Sequence, residues 1–240
     1  MSVFPSGYSR ARFMPAVNYQ LAQRFLKHVV DPAFLSVKEE LASFKADTTS
    51  GNARTVMLGA LGRVVTEQML TDMSVAFCLS IQASWERGFR GYVDAFAQDL
   101  PDPKAEADSK ALPWPTVTAA FNRLHGVVVN DLPGFDELDL LNKLGNVCRH
   151  GPGSTMDKLQ LSHPQFWPAG VHRGYHPSLA GFVLEQRKLH DFARSIESFW
   201  RAIEQMWPAA PLPSEEDLAR MEAEVEKALL DGTAIFGKSY

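Results

Sequence analysis

Apolar side chains recur at every third or fourth position through most of this chain, the spacing that places them on one face of an α-helix. Positions 18–30 carry Leu21, Phe25, Leu26 and Val29, and Asp31-Pro32 predicts a helix stop directly after them. Positions 34–44 repeat the pattern with Phe34, Leu35, Leu41 and Phe44, and the polar run 47–52 reads as a loop. The longest periodic segment spans 53–100. Phe77, Ile81, Trp85, Phe89, Tyr92 and Phe96 form an aromatic and aliphatic stripe within it. Gly59 and Gly62 weaken the start of that segment and predict either a break or a close helix contact there.

An acidic, proline-bearing connection at 101–115 separates this helix from the next, at 116–129, which turns Val117, Ala120, Phe121, Leu124 and Val128 to one side. A turn at 130–134 leads into a helix at 135–150. A short helix at 155–161 and a rigid apolar turn at 163–168 follow. Positions 171–179 read as a loop or a short hairpin. A strongly amphipathic helix occupies 185–206, with Leu189, Phe192, Ile196, Phe199, Trp200 and Ile203 inward. Beyond a proline-rich linker, Ser214-Glu215-Glu216-Asp217 caps a last acidic helix reaching Leu230. The β signal is weak, Val127–Val129 being the one run of three valines, and no repeat of fixed period appears. The expected fold class is therefore all-α, with a helical extension at 1–50, a bundle at 53–206 and a terminal helix within 214–240.

Composition narrows the functional classes. The 240 residues are 45% hydrophobic and 22% charged, ordinary for a folded domain, and the formal net charge of −4 leaves a polyanion only a local basic patch to bind. Two cysteines, Cys78 and Cys148, lie in apolar helical surroundings and read as small core residues. Residues 1–15 hold Arg10 and Arg12 but no apolar run of the signal-peptide kind, and no uninterrupted apolar stretch approaches 18 residues. The expectation is a cytoplasmic protein that does not cross a membrane.

Several chemistries lack their residues. There is no glycine-rich phosphate loop, GxSxG elbow, CxxC or HExxH. His172 and His176 are four apart, but Gly174 and Pro177 argue against the helix that would pair them on a metal. Glu67, Glu86, Asp94 and Asp99 lack the Glu-x-x-His partner of a carboxylate metal site. No metal or cofactor is implied.

The stretch 140–154, Leu-Leu-Asn-Lys-Leu-Gly-Asn-Val-Cys-Arg-His-Gly-Pro-Gly-Ser, holds the candidate chemistry. At about 100° per residue, Lys143, Asn146 and His150 share a helical face, with Leu140, Leu144 and Val147 on the apolar flank. Gly-Pro-Gly ends the helix directly after the histidine. Metal-free cleavage of RNA needs a base for the ribose 2′-hydroxyl, a cation for the phosphorane and an acid for the leaving oxygen. A histidine at a helix C-terminus is stabilised in its protonated form by the macrodipole, which suits a proton donor. The same residues also make an ordinary surface helix ending in a His-Gly cap.

Glu137-Leu138-x-Leu140-Leu141-x-Lys143-x-x-Asn146-Val147-Cys148-Arg149-His150-Gly151-x-Gly153-Ser154 resembles the signature helix of the HEPN (higher eukaryotes and prokaryotes nucleotide-binding) family. That family carries an arginine four to six residues before a histidine, and Asn146 and His150 match its Asn-x-x-x-His part. Lys158-Leu159 and Pro164-x-Phe166 are similar to the loop that follows in several such groups. The resemblance extends over roughly 53–206 and implies an HEPN-like helical bundle. It implies a metal-independent endoribonuclease acting as a homodimer, with a role as toxin or defence component and a protein partner such as an antitoxin or effector subunit. His150 would be the acid/base, Lys143 the phosphate contact and Asn146 the orienting residue, with Arg149 and Lys158 touching RNA. The departure is Lys143, which stands where the family has arginine and lacks the planar fork that holds a phosphate by two bonds. Degenerate members of the family act as binding or assembly modules, which is the alternative expectation.

Overall fold

The aromatic stripe from Phe77 to Phe96 lies at the centre of the molecule. The computed structural model describes residues 10–47, 53–99, 104, 107, 113–151, 153–167, 182–207, 216 and 223. Its elements are α1 (Arg10–Phe25), a π turn (Leu26–Val30), α2 (Asp31–Asp47), α3 (Ala53–Asp99), α4 (Trp114–His125), α5 (Phe135–His150), α6 (Ser154–Ser162) and α7 (Gln186–Gln205). Single 3-10 turns occur at Val129–Asp131 and Pro164–Phe166, and there is no strand among the described residues. The fold is all-α.

The second half of α3 is the axle. Phe89 sits with its ring centre 5.3 Å from Trp114, 5.4 Å from Phe121 and 5.7 Å from Phe199, so one side chain joins α3, α4 and α7. Tyr92 meets Trp200 edge-on at 5.6 Å. Each such ring taken from water contributes about 1.5–3 kcal/mol, and aromatic edge contacts add to that. α5 runs antiparallel to α3, with Gly145 on Gln82. α1 runs antiparallel to α7, where the Gln23 amide donates to Glu197 at 2.5 Å and Arg201 lies 4.7 Å over the Tyr19 ring. Ala11, Leu26, Val30 and Phe34 belong to the same buried cluster as Phe89 and Trp200, so the N-terminal helices share the core of the bundle.

The bounds of the first helix differ from the sequence reading. Asp31-Pro32 does not stop the first helix, which begins at Arg10 and continues into α2. A proline at position 32 has no N–H to give and crowds the carbonyl one turn back. The chain relieves this by widening into a π turn, in which the Asp31 N–H bonds to the Leu26 carbonyl five residues earlier. Of the two outcomes open at Gly59 and Gly62, the chain takes the close contact. α3 is continuous, and a Cβ at Gly62 would lie 2.6 Å from Cε1 of Phe44 on α2. The segment 171–179, with His172 and His176, and the helix reaching Leu230 lie outside the described residues, apart from Glu216 and Ala223 in the latter.

The first half of α3 is much less covered. By length and composition alone, the stretch Arg54–Asp99 could cross a membrane, with an 18-residue window of mean hydropathy 1.2, of which 22% is buried. The sequence criterion of an uninterrupted apolar run passes over it because arginine and glutamate punctuate the stretch.

Candidate functional site

α5 is held at both ends. Gly134, at φ 82°, precedes it, and a Cβ there would strike the Ser195 carbonyl oxygen of α7 at 2.6 Å, so only glycine brings these two backbone segments this close. Asp136 and Glu137 occupy the first turn and Arg149 the last, each charge matching the pole of the helix dipole it faces, and His150 ends the helix. Glu137 is also tied to Lys188 of α7 at 2.6 Å. Leu138, Leu141, Leu144 and Val147 are buried on the bundle side. Gly151, at φ 72°, ends the helix and returns its N–H to the Val147 carbonyl at 2.8 Å.

On the outer side, Lys143, Asn146 and His150 share a face as their spacing predicts. Lys143 and His150 are exposed and Asn146 is half-buried. The imidazole therefore stands at the open end of the helix, clear of the protein's own core. The lysine is paired within its helix, Nζ lying 2.5 Å from Asp139 one turn earlier. A phosphate at this position has to compete with that carboxylate.

Arg149 is directed elsewhere. Its guanidinium donates to Oε1 of Gln82 at 2.9 Å. Gln82 is fully buried. Its amide nitrogen donates to Glu86 at 2.7 Å and to Asn142 at 3.2 Å, and Glu86 in turn pairs with Arg90 at 2.7 Å. A continuous polar seam thus runs between α3 and α5, about a quarter-turn round α5 from the Lys143–His150 face. Gly145 makes it fit, since a Cβ there would meet Cγ of Gln82 at 2.8 Å. Lys158, on α6, is exposed, and its carbonyl accepts the Ser162 hydroxyl at 2.9 Å. One turn along the same packing, Cys78 and Cys148 are neighbouring free thiols. The Cys148 thiol beside it, and then burial, push the Cys78 thiol well above its ordinary pKa.

A concavity that the sequence pattern does not mark lies elsewhere in the fold. A groove of about 860 Å³ lies between α2, α3 and α7, with Lys38, Arg187, His190 and Arg194 in its lining. Asp31, at the π turn, receives both His190 Nε2 and the Gln186 amide at 2.8 Å, while Lys38 donates to Gln186 at 2.6 Å. Its signal is absent from local periodicity because Asp31 and His190 are far apart in the chain and meet only when α1 and α2 fold back on α7. Among the described residues, no group of three or more His, Cys, Asp and Glu could hold a metal ion. Glu67 and Glu86 are instead engaged by Arg63 and Arg90.

No family model matches the chain, and neither a curated protein nor a solved structure matches it.

Proposed function

We propose that the end of α5 is a phosphodiester-recognising site and that the protein is a metal-independent endoribonuclease of the HEPN type, working as a homodimer. The observation that carries this reading is the shared, solvent-open face of Lys143, Asn146 and His150, with the imidazole at the helix terminus. His150 exchanges the proton of the attacking 2′-hydroxyl or of the leaving oxygen. Lys143 offsets the charge that develops on the phosphorane once it exchanges Asp139 for phosphate, and Asn146 orients either group. One chain contributes one histidine to this face, and a base and an acid are both required, so a second copy supplies the other. A toxin or defence role with a neutralising or effector partner belongs to this same reading.

A second reading is a non-catalytic interaction module built on the same helix. It is favoured by the Lys143–Asp139 ion pair and by a lysine where the family resemblance calls for arginine. An RNA cleavage assay with chelator present separates the two. Under the nuclease reading, His150→Ala abolishes cleavage and Lys143→Arg raises it. Absence of cleavage in the wild type and in both variants, with each still dimeric, leaves only the module.

A further inference from the structure

The N-terminal half of α3 has a face that no described residue covers. Met57, Leu58, Leu61, Val64 and Val65 are between 57% and 71% exposed, and Met69 continues the patch at 37%. The opposite side of this half-helix is occupied, since Gly62 takes the Phe44 ring and Thr66 is buried. Leu58, Leu61 and Val65 of this face lie in a coiled-coil seam, which Met57 and Val64 flank. Arg54, Leu58, Leu61, Val65, Gln68 and Asp72 follow one another at alternating steps of four and three, the a and d spacing that keeps one stripe facing a partner helix.

The stripe is complementary to itself when reversed. Laid antiparallel about Arg63, Leu61 of one copy opposes Val65 of the other, Leu58 opposes Gln68, and Arg54 opposes Asp72. Each of these pairs joins an a to a d position, as antiparallel helices require. A parallel pairing would instead set Arg54 against Arg54 and Asp72 against Asp72. Five side chains exposed to this degree present roughly 600 Å² of apolar surface per copy, or about 1,200 Å² for a pair, the lower edge of the range for specific interfaces. A patch of this size stands at the upper end of the largest apolar patch on a typical monomer, about 300–600 Å², and such patches are often functional.

We infer that this half of α3 is a self-association surface, which pairs with the same stripe of a second copy in antiparallel register about Arg63. The two-fold operator makes the contact isologous and closed. This contact is separate from the proposed nuclease face. Gln82 packs on Gly145, so His150 stands near residue 77 of α3, and two such ends lie roughly 40 Å apart across the pair at 1.5 Å per residue. The inference therefore stands or falls without the RNA reading.

Light scattering coupled to size exclusion, on the full chain over a range of concentrations, tests it. A dimer is expected from the α3 contact alone, and a higher assembly where the α5 pairing of the proposed function forms as well. Arg54→Asp and Asp72→Arg each set like charges face to face and weaken dimerisation on the order of tenfold or more. The double variant restores the pairing, because the two exchanged charges again face each other with opposite sign. Leu61→Lys, with unchanged circular dichroism, gives a monomer where the α3 contact acts alone and half the wild-type mass where the α5 pairing of the proposed function forms as well, while His150→Ala keeps the α3 pairing. Three outcomes overturn the inference. The first is a wild-type monomer. The second is a dimer indifferent to Leu61→Lys, or one that the double charge reversal fails to restore. The third is sedimentation of the wild type, but not of Leu61→Lys, with phosphatidylcholine vesicles and no dimer in their absence, which assigns the stripe to a lipid surface.

Discussion

His125 shows how burial at a single residue reaches the stability of the whole chain. Its ring is stacked 4.3 Å from Phe96 and lies 4.5 Å from Phe121, with Nε2 3.0 Å from the Tyr92 hydroxyl. Burial lowers its pKa from 6.5 to about 4. The same burial raises the Tyr92 phenol, so both groups are held neutral. Between pH 6.5 and 4 the unfolded chain binds a proton at His125 that the folded chain does not. This contribution to stability is therefore complete above about pH 6.5 and is lost as the pH falls through 4. The shift sets a ceiling of about 3 kcal/mol. Partial exposure of the ring screens it to about 1–2 kcal/mol. Urea midpoints measured from pH 7.5 to 4 should fall for the wild type and flatten for His125→Phe; equal slopes would refute the assignment. The thiols give a second test at this scale. Cys78 is fully buried with a raised pKa and Cys148 is part-exposed, so iodoacetamide should alkylate Cys148 of the native protein well before Cys78. Mass spectrometry of timed samples reads the order directly.

At the scale of the element, the helices themselves were legible and their terms of contact were not. α7 and α5 could be read nearly to the residue because periodicity marks them, and Gly-Pro-Gly marked the end of α5. The π turn was hidden, because a proline signals that the ladder must be relieved and leaves open whether the helix stops or widens. The Gln82 seam was hidden for a related reason. Gln82 follows Ile81 on a strongly apolar stripe, and nothing in the sequence says that Asn142 and Arg149 wait opposite it. Lys143 was legible as a cation, and Asp139 four residues earlier was in plain view as its partner. The seam yields a prediction about α5. Gly145→Ala puts a Cβ 2.8 Å from a buried side chain that is fixed by hydrogen bonds to two other residues and one accepted from Arg149. Overpacking at such a site costs about 1–3 kcal/mol. Gln82→Ala in the same background makes room for the methyl, so the double variant should be less destabilised than the sum of the two single changes. Denaturant melts of the four proteins test that non-additivity.

For the whole molecule, the question is where the folding unit begins. The sequence reads as an extension at 1–50 attached to a bundle at 53–206, yet α1 and α7 lie antiparallel along their length and Ala11, Leu26, Val30 and Phe34 enter the central cluster. Glu197 and Tyr19–Arg201 clasp the two helices at the surface, and Asp31 ties the π turn to His190 and Gln186. Without α1 and α2, Phe77 loses the rings of Phe25 and Phe34, 6.0 Å and 5.9 Å away. Gly62 of α3 also loses the Phe44 ring that covers it. A chain starting at residue 53 should then keep its helical far-ultraviolet spectrum but lose near-ultraviolet tryptophan ellipticity and bind a hydrophobic dye, the marks of a collapsed state without fixed packing. Adding back residues 1–50 as a separate peptide should restore the native signal in part, since the missing surface is one helical face. A truncated chain with a sharp cooperative melt and native near-ultraviolet ellipticity would show that the bundle folds alone, and that α1 and α2 rest on a core already complete without them.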